Sequence, residues 1–188
     1  MNYEDLKNKQ KVLAEWKYTH TPLYRGYSDK TLYINVGSQD IKEKNVPAEM
    51  KEKFVGGKGY GLRYLWDAVT PETKWNDPEN EIIISGGPLC GITQYSGTGK
   101  SLVVSLSPQT DSVMDSNVGG YFGPFLKFSG FDAIELQGKA DKDVIIFIDG
   151  VNIHEESTTE GELIVYPQPA DERINIRIPE FINHANLI

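Results

Sequence analysis

The sequence predicts an α+β fold in which mixed β-sheets carry short helices, and three observations support it. Period-two apolar runs mark strands, proline- or glycine-bounded stretches mark brief helices, and the two kinds of segment do not alternate regularly enough for a doubly wound sheet. No unit of about 20 to 50 residues repeats, which sets solenoids and propellers aside.

In chain order, Leu6, Leu13 and Trp16, with Val12 beside them, form a loose helical stripe ending before Pro22, so residues 1–30 are expected to be a peripheral helix and a lead-in. Residues 31–36 then alternate, with Leu32, Ile34 and Val36 on one face and Thr31, Tyr33 and Asn35 on the other, the pattern of a half-buried strand. Pro47 suits the first turn of a short helix carrying Met50 and Phe54. Gly56-Gly57-Lys58-Gly59 interrupts it, and a second helix bears Leu62, Leu65, Trp66 and Val69. Three consecutive isoleucines make residues 81–85 read as a strand buried on both faces. Beyond a glycine-rich connection, residues 101–106 resume as strand, and residues 119–123 lead into a short helix through Phe125, Leu126 and Phe128, capped by Gly130. Residues 132–136 and 144–148 read as strands joined by a polar turn, and Asp149-Gly150 signals a further hairpin into Val151 and Ile153. A polar linker begins at Glu155, and the alternating Ile174, Ile176 and Ile178 mark a last strand.

With 188 residues, 39% of them hydrophobic and 24% charged, the chain has the composition of a globular domain with its own core. Its 27 acidic against 19 basic residues, a net charge of -8, repel phosphate backbones, so nucleic acid is not an expected partner. No stretch approaches the ~20 apolar residues of a membrane span, and the first residues lack the apolar run of a secretory signal. A cytoplasmic setting without a membrane partner is therefore expected. The single cysteine, Cys90, excludes an intramolecular disulfide and any cysteine-ligated cluster built by this chain alone. His20, His154 and His184 stand too far apart in sequence to suggest a metal site.

Three glycine clusters, at residues 56–61, 86–99 and 119–123, sit beside strands or helix starts. Glycine lets backbone N–H groups approach a ligand, and a helix start adds positive partial charge, so together they suggest an anionic cofactor; taken singly, each is more often a set of tight turns. Gly99-Lys100-Ser101 ends like a nucleotide-binding P-loop, but Gln94 stands where that motif needs glycine, and a strand rather than a helix follows.

These loops also carry a family resemblance. Gly56-Gly57-Lys58-Gly59, then Gly87-Pro88-Leu89-Cys90-Gly91, Leu102-Val103-Val104 through Ser107-Pro108, and Ser116-Asn117-Val118-Gly119-Gly120-Tyr121-Phe122-Gly123 resemble, in order, motifs of the tungsten-containing aldehyde:ferredoxin oxidoreductases. Leu126-Lys127-Phe128-Ser129-Gly130-Phe131-Asp132-Ala133-Ile134 and Gly138-Lys139-Ala140 continue the resemblance, which runs from Leu32 to Ile153.

The resemblance implies an N-terminal base of mixed β-sheets under a tungsten (or molybdenum) bis-pyranopterin, occupying residues 31–154. It implies that Asn117 helps to hold a Mg2+ ion bridging the two pterin phosphates, that Gly119 and the adjoining Gly120 touch pterin through the backbone, and that Lys100 stands where the family carries an arginine. Lys58 either faces the cofactor or is a solvated loop lysine. The activity implied is oxidation of an aldehyde to a carboxylic acid, with electrons passing through a 4Fe-4S cluster to ferredoxin. A homodimer is compatible with it, and relatives of the fold that reduce acyl-CoA or aromatic rings leave the substrate open. The cluster ligands and catalytic side chains of the family come from later segments, so this chain alone is expected to be inactive. A non-catalytic β-rich binding or surface-displayed module is the alternative. Residues 155–188 do not match; residues 163–176 weakly resemble the start of the sorting domain at the C-terminus of secreted Bacteroidota proteins.

Overall fold

The computed structural model describes residues 11–18, 21–92, 94 and 96–149, together with three later strands at 153–157, 163–167 and 174–180. Eleven strands and three helices are present in these segments. They are β1 (Lys11–Tyr18), β2 (Lys30–Asn35), β3 (Asp40–Asn45), α1 (Ala48–Phe54), α2 (Lys58–Ala68), β4 (Glu81–Ser85), β5 (Ser101–Leu106), β6 (Val113–Val118), α3 (Phe122–Phe128), β7 (Ala133–Gln137), β8 (Phe147–Asp149), β9 (Ile153–Ser157), β10 (Leu163–Pro167) and β11 (Ile174–Glu180).

The centre is a six-stranded sheet in the order β3-β2-β7-β4-β5-β6. Only β2 and β7 run parallel, Leu32 opposite Ile134 and Ile34 opposite Leu136; the other neighbours are antiparallel. The expected mixed α+β architecture is present. A three-stranded sheet, β1-β11-β8, and a β9-β10 hairpin accompany it.

Register decides which side chains share a face. Leu32, Ile34, Ile41 and Ile134 pack with Tyr18, Leu126 and Phe131 on one side of the sheet. On the other side α1 and α2 cover Ile83, Val104 and Leu106 through Leu65, and Val46 through Met50 and Tyr60. Gly61 permits this close approach, since a Cβ there would lie 2.5 Å from Val104 Cγ2.

Several sequence expectations change. The residues read as an N-terminal helix form strand β1 instead, antiparallel to β11. Trp16 and Tyr18, two apart, stack at 5.1 Å as same-face strand neighbours, and Tyr18 packs on Phe131 at 4.6 Å. Tertiary packing of an aromatic face thus outweighs the weak helical spacing. Residues 1–10 lie outside the described part. Strand β2 is buried on both faces rather than half-buried, because Thr31 lies under α2, its Oγ1 bonding Tyr64 Oη at 2.7 Å, and Lys42 and Lys44 of β3 cover the Tyr33 ring. Strand β4 shows the reverse: Ile82 remains 44% exposed.

Helix α2 turns Tyr60, Gly61 and Leu65 inward and leaves Leu62 and Trp66 outside, Trp66 at 77% exposure. Both stripes are apolar, so periodicity alone could not choose. Strands β3 and β6 are short and rich in polar residues (DIKEKN, VMDSNV), so no apolar alternation marks them in the sequence. Strands β7 and β8 join different sheets, and β9 pairs with β10 rather than β8, while Gly150 and Val151 lie outside the described residues.

A buried ion pair fastens α3 to the sheet. Lys127 Nζ meets Asp132 Oδ1, both side chains almost fully enclosed. Asp132 also accepts the N–H groups of Ser28 at 3.1 Å and Asp29 at 2.9 Å. Each charge is matched and hydrogen-bonded, the condition under which a buried pair is tolerated.

Candidate functional site

The glycine clusters separated in sequence meet at one end of the central sheet. The first opens where α1 ends: Val55 adopts φ 61 and ψ −43, with Gly56 N–H donating to Phe54 O at 2.6 Å, a strained three-residue turn for a β-branched residue. Gly56 (φ 150) and Gly57 (φ 54) extend the reversal into the start of α2. Gly57 N–H donates to Gly86 O at 2.9 Å, and Ser85 Oγ donates to Gly57 O at 2.6 Å, which locks the first cluster onto the second.

The second and third clusters touch as closely. A Cβ on Gly99 would stand 2.4 Å from Gly120 O, so only glycine fits there. By contrast, a Cβ on Gly87, Gly97, Gly119 or Gly120 would meet nothing within 4 Å. These four leave backbone open to an approaching ligand.

Cys90 lies beneath this rim. Its Sγ would be 2.9 Å from a Cβ on Gly86 and 3.0 Å from one on Gly123, so the two glycines make room for it. Burial pushes its thiol up from the ordinary range, and Lys127 offsets this only in part, which suits packing rather than nucleophilic chemistry.

Asn117 and Lys100 flank the rim. Asn117 lies on the edge strand β6, opposite Leu102 of β5, with its side chain exposed. Lys100 is exposed two residues before Leu102. Lys58 in the first turn of α2 pairs with Asp115 Oδ1 at 2.7 Å, and Asp115 shares its strand face with Asn117. The ion pair therefore ties the first glycine cluster to the strand that carries Asn117. Gly119 and Gly120 follow β6 directly and Lys100 immediately precedes β5, so four of the five residues singled out from sequence stand at one end of the β5–β6 pair, and Lys58 reaches it from α2.

An exposed apolar flank adjoins the rim and was not foreseen. Tyr121 stacks on Phe125 at 6.0 Å, and both stand in solvent with Phe122 and Leu89. Exposed apolar side chains gathered in this way suit contact with a protein, membrane or ligand surface.

Open backbone, an exposed lysine and an exposed amide oxygen suit a bulky anion such as a phosphate-bearing cofactor. Among the described residues no group of three His, Cys, Asp or Glu side chains could hold a metal ion, so these residues offer no ligand set for tungsten itself. No described helix is long and apolar enough to cross a membrane.

Comparison with known proteins gives a consistent result. The family model for the aldehyde ferredoxin oxidoreductase N-terminal domain matches residues 31–168. The tungsten-containing aldehyde ferredoxin oxidoreductase of Pyrococcus horikoshii is 38% identical over 141 residues, covering 74% of this chain and 23% of that protein. The Pyrococcus furiosus enzyme of the same description is 34% identical, covering 76% and 25% respectively. The aliphatic sulfonate oxidoreductase WOR-like subunit of P. furiosus is also similar, at 34% identity over 65% of this chain and 20% of its own length. Among solved structures, the active site complex BamBC of benzoyl coenzyme A reductase with 1,5-dienoyl-CoA matches with a TM-score of 0.62 and 30% identity, over 70% of this chain and 19% of that one. The chain spans less than a third of the length of each of these relatives.

Proposed function

The chain belongs to the aldehyde ferredoxin oxidoreductase family, whose N-terminal domain it carries, and on that premise we propose that its glycine rim seats the pterin part of a tungsten-type cofactor. The observation that carries this reading is the convergence of open glycine backbone at Gly87, Gly97, Gly119 and Gly120 with exposed Asn117 and Lys100. When bound, such a cofactor supplies the two-electron redox chemistry, and the protein supplies its seat and electrostatics.

Each residue has a distinct part. Gly119 and Gly120 admit pterin against the backbone. Lys100 offers a point charge to phosphate, without the planar fork an arginine would bring. Asn117 Oδ1 is a hard oxygen suited to Mg2+ between phosphates, a cation that keeps several waters and needs few protein ligands. Lys58, its charge matched by Asp115, stands at the first turn of α2 and would offer an N–H donor towards the cofactor.

The full reaction, oxidation of an aldehyde with ferredoxin as acceptor in the cytoplasm, needs more than this chain. A 4Fe-4S cluster would draw its cysteines from elsewhere, since Cys90 is the chain's single cysteine and is buried. On this reading the isolated chain is inactive, and its exposed Leu89, Tyr121, Phe122 and Phe125 meet the parts that close over the cofactor.

The test is a chimera in which residues 31–168 replace the matching part of the P. horikoshii relative, produced in a host that makes tungstopterin. Asn117→Leu in that chimera is expected to lower tungsten and pterin content several-fold with unchanged thermal unfolding. Full cofactor retention by the Asn117→Leu chimera would overturn the assignment of Asn117.

A further inference from the structure

A second site lies on the helix-covered face of the sheet, at the opposite end of β4 from the glycine rim. A cavity of about 480 Å³ opens between α1 and α2, with β3, β7 and β4 beneath it. Glu81 of β4 and Glu135 of β7 line it, although their side chains are 3% and 1% exposed. Glu81 Oε2 and Glu135 Oε1 receive no N–H or O–H from the protein. Two enclosed carboxyl groups with orphan acceptors at the base of a cavity are costly unless something cationic or protic satisfies them.

The charges around the cavity can be counted. At its rim Glu49 of α1 pairs with Lys53 at 2.5 Å, and Arg63 of α2 pairs with Asp67 at 2.9 Å, so these four cancel. At its floor Lys44 of β3 bonds Glu135 Oε2 at 2.7 Å, which matches one carboxylate and leaves Glu81 unmatched. Tyr64 of α2 contributes no cation and is engaged with Thr31. The floor is therefore one positive charge short. Met50, Phe54 and Ala68 provide an apolar wall beside it.

We propose that this cavity binds a small organic monocation, an N–H-bearing ammonium or guanidinium on an apolar body, through the carboxylates of Glu81 and Glu135. The volume falls in the range of small-molecule sites, about 300–1,000 Å³. An N–H cation places donors on the orphan oxygens and neutralises the floor in one step. In the empty cavity a proton fills the same role: burial, and then the neighbouring Glu135, push Glu81 up to about 8. Binding then releases that proton to the buffer, because Glu81–COOH and a ligand cation together give Glu81–COO⁻, the bound cation and one H⁺.

The experiment is calorimetric titration of the 188-residue chain with cyclohexylammonium, benzamidinium, tetramethylammonium and sodium chlorides at pH 7, in buffers of different ionisation enthalpy. The expected result is saturable binding of the two N–H cations with release of close to one proton, and at least tenfold weaker binding in Glu81→Gln and in Glu135→Gln. Both changes are near-isosteric, and thermal unfolding of each variant verifies that it is folded before binding is compared. Three outcomes would overturn the proposal: no saturable binding of either N–H cation, equal binding of tetramethylammonium, or undiminished binding by both folded variants. The first leaves a shared proton as the only occupant.

Discussion

The glycine rim and the carboxylate cavity share two elements yet are built from opposite materials. Helix α2 starts at the rim with Lys58 and passes the cavity with Arg63, Tyr64 and Asp67; β4 touches the cavity at Glu81 and leads into the rim after Ser85. The rim consists of backbone left open by absent side chains. The cavity consists of buried side chains short of a partner. Backbone N–H groups and a helix start favour an anion, whereas unmatched carboxylates favour a cation, so one layer of structure presents two sites of opposite preference.

A third cluster sharpens the contrast. Lys127 and Asp132 are as enclosed as Glu81 and Glu135, but there every charge has its counter-charge and its hydrogen bonds. The balanced cluster should act as a staple and the unbalanced one as a site. Removing charge from each should then have opposite effects. Asp132→Asn, which strands the Lys127 ammonium, is expected to cost about 3–5 kcal/mol in a denaturant titration. A loss below about 1 kcal/mol would show that the pair is not a staple.

Glu81→Gln should do the reverse in alkaline solution. The folded state raises Glu81 from 4.5 to about 8, so its contribution to stability is complete below pH 4.5 and is lost as pH rises towards 8. Glu135 shifts in the same direction, mainly through burial, and steepens that loss. Wild-type stability should decline across this window. Glu81→Gln should flatten the profile and stabilise the chain at pH 8 by about 1–3 kcal/mol. Parallel profiles for the two proteins would show that Glu81 does not cause the decline.

Smaller effects distinguish the glycines of the rim. Gly99→Ala drives a methyl group into Gly120 O and should cost about 1–3 kcal/mol. Gly119→Ala meets open space, and its stability should stay within about 0.5 kcal/mol of wild type. Thermal unfolding of both variants checks the difference; equal losses would mean that Gly119 is a packing residue and not open backbone.

The rim was more legible in sequence than the cavity, for a physical reason. Glycine is distinctive wherever it stands, so Gly87, Gly119 and Gly120 advertise themselves within short motifs before their meeting is known. Glu81 and Glu135 look like ordinary strand residues until register places Ile83 opposite both Val104 and Glu135, and helices cover that face. Lys44 lies on β3, a strand whose polar composition hides it altogether. The helical reading of residues before Pro22 failed similarly, because the partner that makes Lys11–Tyr18 a strand arrives only at Ile174–Glu180. Long-range pairing is what a local pattern omits.

Whether the rim takes anions through open backbone can be read residue by residue. Amide 1H–15N shifts of the chain should be followed during titration with inorganic pyrophosphate. Saturable shifts are expected at Gly119, Gly120, Gly99 and Lys100, with Glu81 and Glu135 unmoved. Shifts absent from those glycines, or centred on the carboxylate cavity instead, would contradict anion binding at the rim.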